Sequence, residues 1–304
     1  MKNTRLVRVA ALAVSLAFVA AACGDDDGGS TADTTATADT TATGDTTATA
    51  DTTATSDTAA AAEPVVCDNP VAKLGLQFPE TGDAANLGAP MLKGAQLAID
   101  QYNASHADAC VAIMKLDTQG DPAKAPAVAQ AAIDDALVLG IMGPGFSGES
   151  KAAHPLYSEA GLAAITGSAT NAELQTNGWS SFHRILANDG LQGPAIAKYI
   201  KDTLAPKSVG VIDDASDYGK GIADTVKSTL GAAVVASDTI DPKAADFSAA
   251  VTKMKDAAPD VIFYGGYYGE AAKLSTQLRD AGVESTLVFG DGVKDQVGYA
   301  DAAG

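Results

Sequence analysis

Beyond residue 65 short apolar runs alternate with longer amphipathic ones, and that alternation predicts the order of elements. Residues 73–78 read as a strand, and residues 87–104 as a helix with Met91, Ala95, Ala98, Ile99 and Tyr102 on one face. Residues 111–116 form a second strand ending in DTQGDP, Pro122 opens a helix through Ala136, and residues 137–142 form a third strand. Another helix follows the turn GPGFSGES (143–150), and LAAIT (162–166) makes a fourth strand. The alternation restarts after LANDGLQGP (186–194) with a helix to about Leu204. Strands follow at 208–212, 232–238, 261–265 and 286–290, with helices from Tyr218, over 246–257 and over 270–281. Strands alternating with helices imply parallel sheets covered on both faces. The fold class is therefore α/β in two Rossmann-like lobes, residues 65–185 and 186–304, and about 240 residues suit two lobes of ordinary size. No helix covers the last strand before Gly304, so the second lobe is expected to be truncated at its C-terminus.

The first residues follow a different pattern. Lys2, Arg5 and Arg8 precede an uncharged run over residues 9–22 that ends in small residues, as an export signal does. It falls short of the ~20 apolar residues a spanning helix needs, and no later stretch is apolar for long enough. Residues 1–22 are accordingly read as a signal peptide and the chain as exported. Cys23 follows Ala20, Ala21 and Ala22, and small residues ahead of a cysteine resemble the lipobox of bacterial lipoproteins. That resemblance implies a lipid on Cys23 that anchors the chain to the outer face of the membrane; plain secretion is the alternative.

Residues 23–64 repeat DTTAT at Asp33, Asp39, Asp45 and Asp51, with a degenerate copy at Asp57. The unit holds no large apolar group and can bury no face, so the segment reads as a disordered tether. About 40 such residues have a root-mean-square span of roughly 35 Å. With Cys23 lipidated, Cys67 and Cys110 remain, each at the start of an expected strand. Export permits a disulfide between them; two thiols that never meet is the other reading.

The tether also changes the meaning of the formal net charge of −18. It holds nine acids and no base, and the leader holds three bases and no acid, which leaves 17 bases against 29 acids, a net −12, for the folded part. That acidity argues against nucleic acid or anionic lipid as a partner. His106, His154 and His183 are scattered without metal-ligand spacing, and His154, beside Pro155, is expected to be exposed. Trp179 reads as an anchor in the packing. No Ser/His/Asp order or carboxylate pair comes with the context a hydrolase needs, so neither enzyme activity nor a cofactor is expected.

Gly143, Gly145 and Gly148 fall on the G-x-G-x-x-G spacing of a dinucleotide-binding turn. Such a site also needs an acid at the end of the next strand for the ribose hydroxyls. Here that strand ends in GSATNAE (167–173), with small hydroxyl residues in the acid's place. What GPGFSGES does offer is free backbone N–H groups and the Ser147 hydroxyl at a helix N-terminus, where the dipole suits a small anion such as a carboxylate. GSAT forms a second edge of that kind with Ser168 and Thr170. Ser147 and Thr170 would serve equally well as ordinary helix caps.

The ordered blocks GPGFSGES, LYSEAGLAAITGSATNAEL, GLQGPAIAKYI, DYGKGIA, VIFYGGYYGE and FGDGV resemble the branched-chain amino-acid-binding proteins of bacterial ABC transporters, which are type 1 periplasmic binding proteins. The resemblance runs from about Ala72 to Val293. It implies two lobes that close about a hinge on a ligand held in the cleft. It implies that Ser147 with Ser168, Ala169 and Thr170 would hold the ligand α-carboxylate, through backbone and hydroxyl groups. Tyr218 and Tyr267 would close over the ligand from the second lobe, and Asp291 would pair with its α-ammonium. Two positions depart from the family pattern: Ser168 replaces an alanine, and Asp291 is shorter than the usual glutamate. Members of the family also continue past the position of Gly304.

The implied function is an exported, monomeric receptor that captures an amino acid, branched-chain or related, and delivers it to the membrane subunits of an ABC permease. A sensory receptor of the same fold, feeding a signalling partner, is the alternative. An enzyme on a Rossmann-like sheet is a third reading, and it requires the cofactor site whose context GSATNAE lacks.

Overall fold

A computed structural model describes residues 67–304; the leader, the Cys23 lipidation position and the tether lie outside the described residues. Two all-parallel sheets carry the described chain. The first contains β1 (Ala72–Leu76), β2 (Val111–Lys115), β3 (Val138–Met142), β4 (Ala164–Thr166) and β5 (Phe182–Arg184), in the order β2-β1-β3-β4-β5. The second contains β6 (Val209–Asp213), β7 (Val234–Thr239), β8 (Val261–Gly265) and β9 (Thr286–Phe289), in the order β7-β6-β8-β9. Both sheets are thus wound the same way, out to one edge and then back past the first strand. Strand β5 was not legible as a strand: it has three residues, two of them His183 and Arg184, and exists through its pairing with β4.

Burial explains which runs became which strands. Every residue of β6 and β8 is buried, as expected of central strands sandwiched between helices. Strand β7 lies at an edge and alternates half-buried with exposed positions along VVASDT. Helices α5 (Asp217–Leu230) and α4 (Asp189–Tyr199) cover one face of the second sheet, with Ile222, Ala223, Val226 and Ala197 against Val211 and Phe263. Helices α6 (Ser248–Ala257) and α7 (Tyr268–Asp280) cover the other, with Val251, Met254, Leu274 and Leu278 against Ile212 and Ile262.

The first sheet departs from the expectation of cover on both faces. Helices α2 (Ala125–Asp134) and α3 (Ser147–Ala160) pack on one side through Ala125, Ala129, Ala132, Ala153 and Tyr157. Among the described residues only α1 (Ala85–Ser105) packs on the other, through Met91, Leu92 and Ala95 against Leu76 and Phe78. A single crossover, β1 to β2, runs along that face; the second sheet is wound the same way but has α4 beside α5 there, and among the described residues α1 has no such neighbour. Ile165 and Ile185 stay exposed, and a trough of about 570 Å³ runs beside α1. With this face partly bare, α1 buries Ala95, Ile99 and Asn103, while Ala98 and Tyr102, expected in the same stripe, are exposed. The Tyr102 ring instead stacks on His106 at 4.2 Å.

His154 also corrects the sequence reading, for it is fully buried. Its ring lies 5.1 Å from Trp179 and 5.0 Å from Phe182, and its Nε2 shares a 3.2 Å hydrogen bond with Ser181 Oγ. Burial first, and the charge of His183 second, hold its imidazole down at about 4. Trp179 is an anchor of this cluster. Cys67 and Cys110 are bonded to each other, with Cα atoms 5.9 Å apart, and fasten the chain ahead of β1 to the start of edge strand β2.

Candidate functional site

The carboxyl ends of β3, β4, β6, β8 and β9 face one another, and the predicted residues come from the turns that follow them. In open α/β sheets such ends collect ligands. After β3 the chain turns at Gly143, whose φ of 114° favours glycine and whose Cβ would stand 2.5 Å from Gln77 O. This turn delivers Ser147 as the first residue of α3. Glu149, fully buried in the first turn, accepts from the Phe146 N–H at 2.9 Å and from Thr118 Oγ1. Burial pushes its carboxyl up to about 7, although both hydrogen bonds pull it down. The glycines of the G-x-G-x-x-G spacing therefore answer to tight turning and close packing. Gly148, the last of them, would place a Cβ 2.7 Å from Pro122 Cγ.

After β4, Thr166 Oγ1 organises the GSAT turn. It donates to Pro144 O at 2.8 Å and accepts from the N–H groups of Ser168 and Ala169 at 3.3 and 3.0 Å. The Ala169 carbonyl accepts from Arg184 Nη1 at 3.1 Å. Ala169 is buried with its backbone committed to the turn, so it differs from the expectation that it offers a free backbone group. Thr170 is buried too, and its hydroxyl has no hydrogen-bond partner.

The second half supplies the remaining groups. Ser216 Oγ caps α5 by accepting from Gly219 N–H at 2.8 Å, which fixes Tyr218 in the first turn. Tyr218 OH donates to Asp291 Oδ1 at 2.8 Å and accepts from Gly292 N–H at 3.0 Å. Gln192 Nε2 donates to the same Asp291 oxygen at 2.9 Å. The Tyr267 ring lies tilted, 4.8 Å from Phe146 and 5.1 Å from Tyr218.

Ser147, Ser168, Tyr218, Tyr267 and Asp291 line one cavity, together with Leu87, Phe146 and Gly292. It measures about 40 Å³, room for roughly three waters. Phe146 and Tyr267 also wall a wider cavity of about 520 Å³, which Asp121, Asp214 and Glu270 help to line. Burial pushes the Asp214 carboxyl up to about 6, against hydrogen bonds from Ser216 and with the charges of Glu270 and Asp213.

One residue of this region escaped the sequence reading. Asp189, at the start of α4, is 1% exposed, and neither of its carboxylate oxygens has a hydrogen-bond partner. Its N–H donates to Thr170 O at 2.9 Å, which places it directly behind the GSAT turn. Burial pushes its carboxyl up to about 6; the neighbouring Thr170 hydroxyl and Arg184 pull against that, and the charge of Asp291 adds to it. Thr170 Oγ1, Arg184 Nη2 and Gln192 Oε1 are likewise buried and unpartnered. Buried polar groups are seldom left so: the Asp189 carboxylate and Gln192 Oε1 lack donors, whereas Arg184 Nη2 lacks an acceptor. Among the described residues no three His, Cys, Asp or Glu side chains are grouped to hold a metal.

Ser147 at the α3 N-terminus and Asp291 thus line one cavity with the rings of Phe146, Tyr218 and Tyr267. Residues 71–304 match the family model described as periplasmic binding protein. The chain belongs to the periplasmic binding protein family. It is 33% identical over 239 residues to the Leu/Ile/Val-binding protein BraC3 of Rhizobium johnstonii, a match covering 76% of this chain and 65% of that protein. Its fold resembles the branched-chain amino acid transporter substrate binding protein LivJ of Streptococcus pneumoniae, solved with isoleucine, at TM-score 0.70 and 34% identity. That match covers 77% of this chain and 67% of LivJ. The leucine binding protein LivK of Thermotoga maritima gives TM-score 0.71 and 28% identity over 77% of this chain and 67% of that one. The α/β fold with two parallel sheets is that of the type 1 members. The chain thus spans somewhat under two thirds of the length of the curated relative.

Proposed function

We propose that this chain belongs to an exported receptor that captures a small amino acid, branched-chain or related, for delivery to an ABC permease. The observation that carries the reading is the set of groups around the 40 Å³ cavity, Ser147 at the α3 N-terminus and Asp291 with the Tyr218 and Tyr267 rings, backed by the buried Asp189 behind the GSAT turn. A zwitterion needs both the helix end and the acids. Each of its charges costs several kcal/mol if buried alone, and an apolar side chain adds ~1.5–3 kcal/mol when fully buried. The carboxylate is held by the α3 N–H groups, the Ser147 hydroxyl and the GSAT turn with Thr170. The ammonium is held by Asp291 and Asp189, and Tyr218 and Tyr267 close over the ligand. Because these groups are split between the two sheets, occupancy and closure are one event. The residues take no covalent part, and the relatives' names as binding proteins support a non-enzymatic reading. The same reading makes the chain monomeric and, through a lipid on Cys23, membrane-anchored.

A panel of L-amino acids tested by thermal unfolding of the full chain checks the reading. A ligand at a hundredfold its Kd stabilises by about 2.7 kcal/mol, and no response to isoleucine, leucine, valine or any other amino acid would count against it.

Asp189 adds a pH signature. In the empty protein its raised pKa favours the neutral acid, so its contribution to stability is present below about 4 and is lost as pH rises through about 6. Binding has the opposite sign, because an ammonium pairs with the ionised form and expels the proton. Affinity for L-isoleucine is therefore expected to fall as pH drops below about 6, approaching tenfold per unit. Titration calorimetry at pH 5, 6, 7 and 8 reads this directly, and a flat profile would detach Asp189 from the ammonium.

A further inference from the structure

The N-termini of α3 and α5 meet across the two halves, and Asn171 stands at the crossing. It is 7% exposed, and its polar groups are all engaged. Its N–H donates to Ser147 Oγ at 3.1 Å, its carbonyl accepts from Arg184 Nη1 at 2.9 Å, and its Oδ1 accepts from Glu173 N–H at 2.8 Å. Those three bonds stay within the first half. The fourth crosses: Asn171 Nδ2 donates to the Asp217 carbonyl at 2.5 Å, in the first turn of α5. Lys151 on α3 pairs with Asp217 Oδ1 at 2.5 Å beside it, well exposed. The approach depends on glycine, since a Cβ on Gly221 would stand 2.7 Å from Asn171 Nδ2.

We propose that Asn171 is a positioning residue that couples the Ser147 hydroxyl to closure of the two lobes. This rests on the reading of Ser147 as a carboxylate ligand. By accepting from the Asn171 N–H, Ser147 Oγ keeps its own proton free to donate to a ligand carboxylate. The same asparagine grips the second lobe through Asp217, so one residue aims the hydroxyl with its backbone N–H and latches the lobes with its side chain. The exposed Lys151–Asp217 pair adds little to this, whereas the part-buried bond from the Asn171 amide has a polar group to lose when it opens.

Two substitutions separate latch from scaffold. Asn171→Ala removes both the bond to Asp217 and the cap on Glu173. Asn171→Asp keeps an acceptor for the Glu173 N–H and keeps the backbone bond to Ser147, but cannot donate to Asp217. Both variants are expected to release L-isoleucine in stopped-flow displacement about two- to tenfold faster, with association little changed. In the ligand-free protein, spin labels on unnatural residues at exposed Ala123 and Lys243, one in each half, are expected to move apart in both variants. If Asn171→Asp keeps wild-type release and wild-type label distances, Asn171 is only a cap and the proposal falls. Failure of the wild type to bind any amino acid would sink the functional reading alone, and the label distances would still decide the latch.

Discussion

Asp189→Asn is expected to weaken binding of L-isoleucine by about 30- to 4,000-fold, the range that follows when one partner of a buried charge pair is removed. The side chain keeps its size, but the ammonium loses a fully buried carboxylate whose oxygens have no other hydrogen-bond partner. The empty protein gives the control: replacing an unpartnered buried carboxylate with an amide leaves its fold as stable or more so, so a loss of affinity cannot be blamed on unfolding. Asp291→Asn should cost far less, about tenfold or under, since Asp291 is exposed. The amide oxygen also still accepts from Tyr218 and Gln192. Calorimetry on both variants orders the two acids, and wild-type affinity in Asp189→Asn would remove that residue from the site.

Replacing Cys67 and Cys110 by serine should lower stability by about 4 kcal/mol, the chain-entropy value for a loop of this length, given their separation of 43 residues. For a chain of this size that is a fall in Tm of roughly 10 °C. The loss should concentrate on β2, an edge strand held by β1 on one side only. Thermal unfolding with and without reductant measures it. An unchanged Tm with both thiols shown free by mass spectrometry would mean that the crosslink constrains nothing the fold does not already constrain.

The parallel architecture was legible because its central strands are continuous apolar runs: the span 261–265 expected for VIFYG is the span of β8. Ser147, Ser168 and Thr170 could be named from the turns that follow β3 and β4, whereas Tyr218, Tyr267 and Asp291 were named only through the family resemblance. Asp189 was hidden by its neighbours. Gly190, Gly193 and Pro194 read as turn punctuation, so LANDGLQGP looked like a seam, whereas α4 begins at Asp189 itself. Gly193 is small for a packing reason, because a Cβ there would lie 1.9 Å from Thr225 Oγ1 on α5. His154 was misread for a similar cause. A His-Pro pair suggests a surface kink, and only the three-residue spacing to Tyr157, also fully buried, hints at the inward side of α3. Burial of a polar group depends on what packs across from it, which local pattern does not carry.

Phe146, Tyr218 and Tyr267 close ranks so tightly that no solute fits between them as they stand. Admission must then wait for the rings and the lobes to swing aside, so filling after rapid mixing should reach a ceiling speed that more solute cannot raise. On the proposed reading this gate carries no penalty where solute is scarce, because collision is then the slower event.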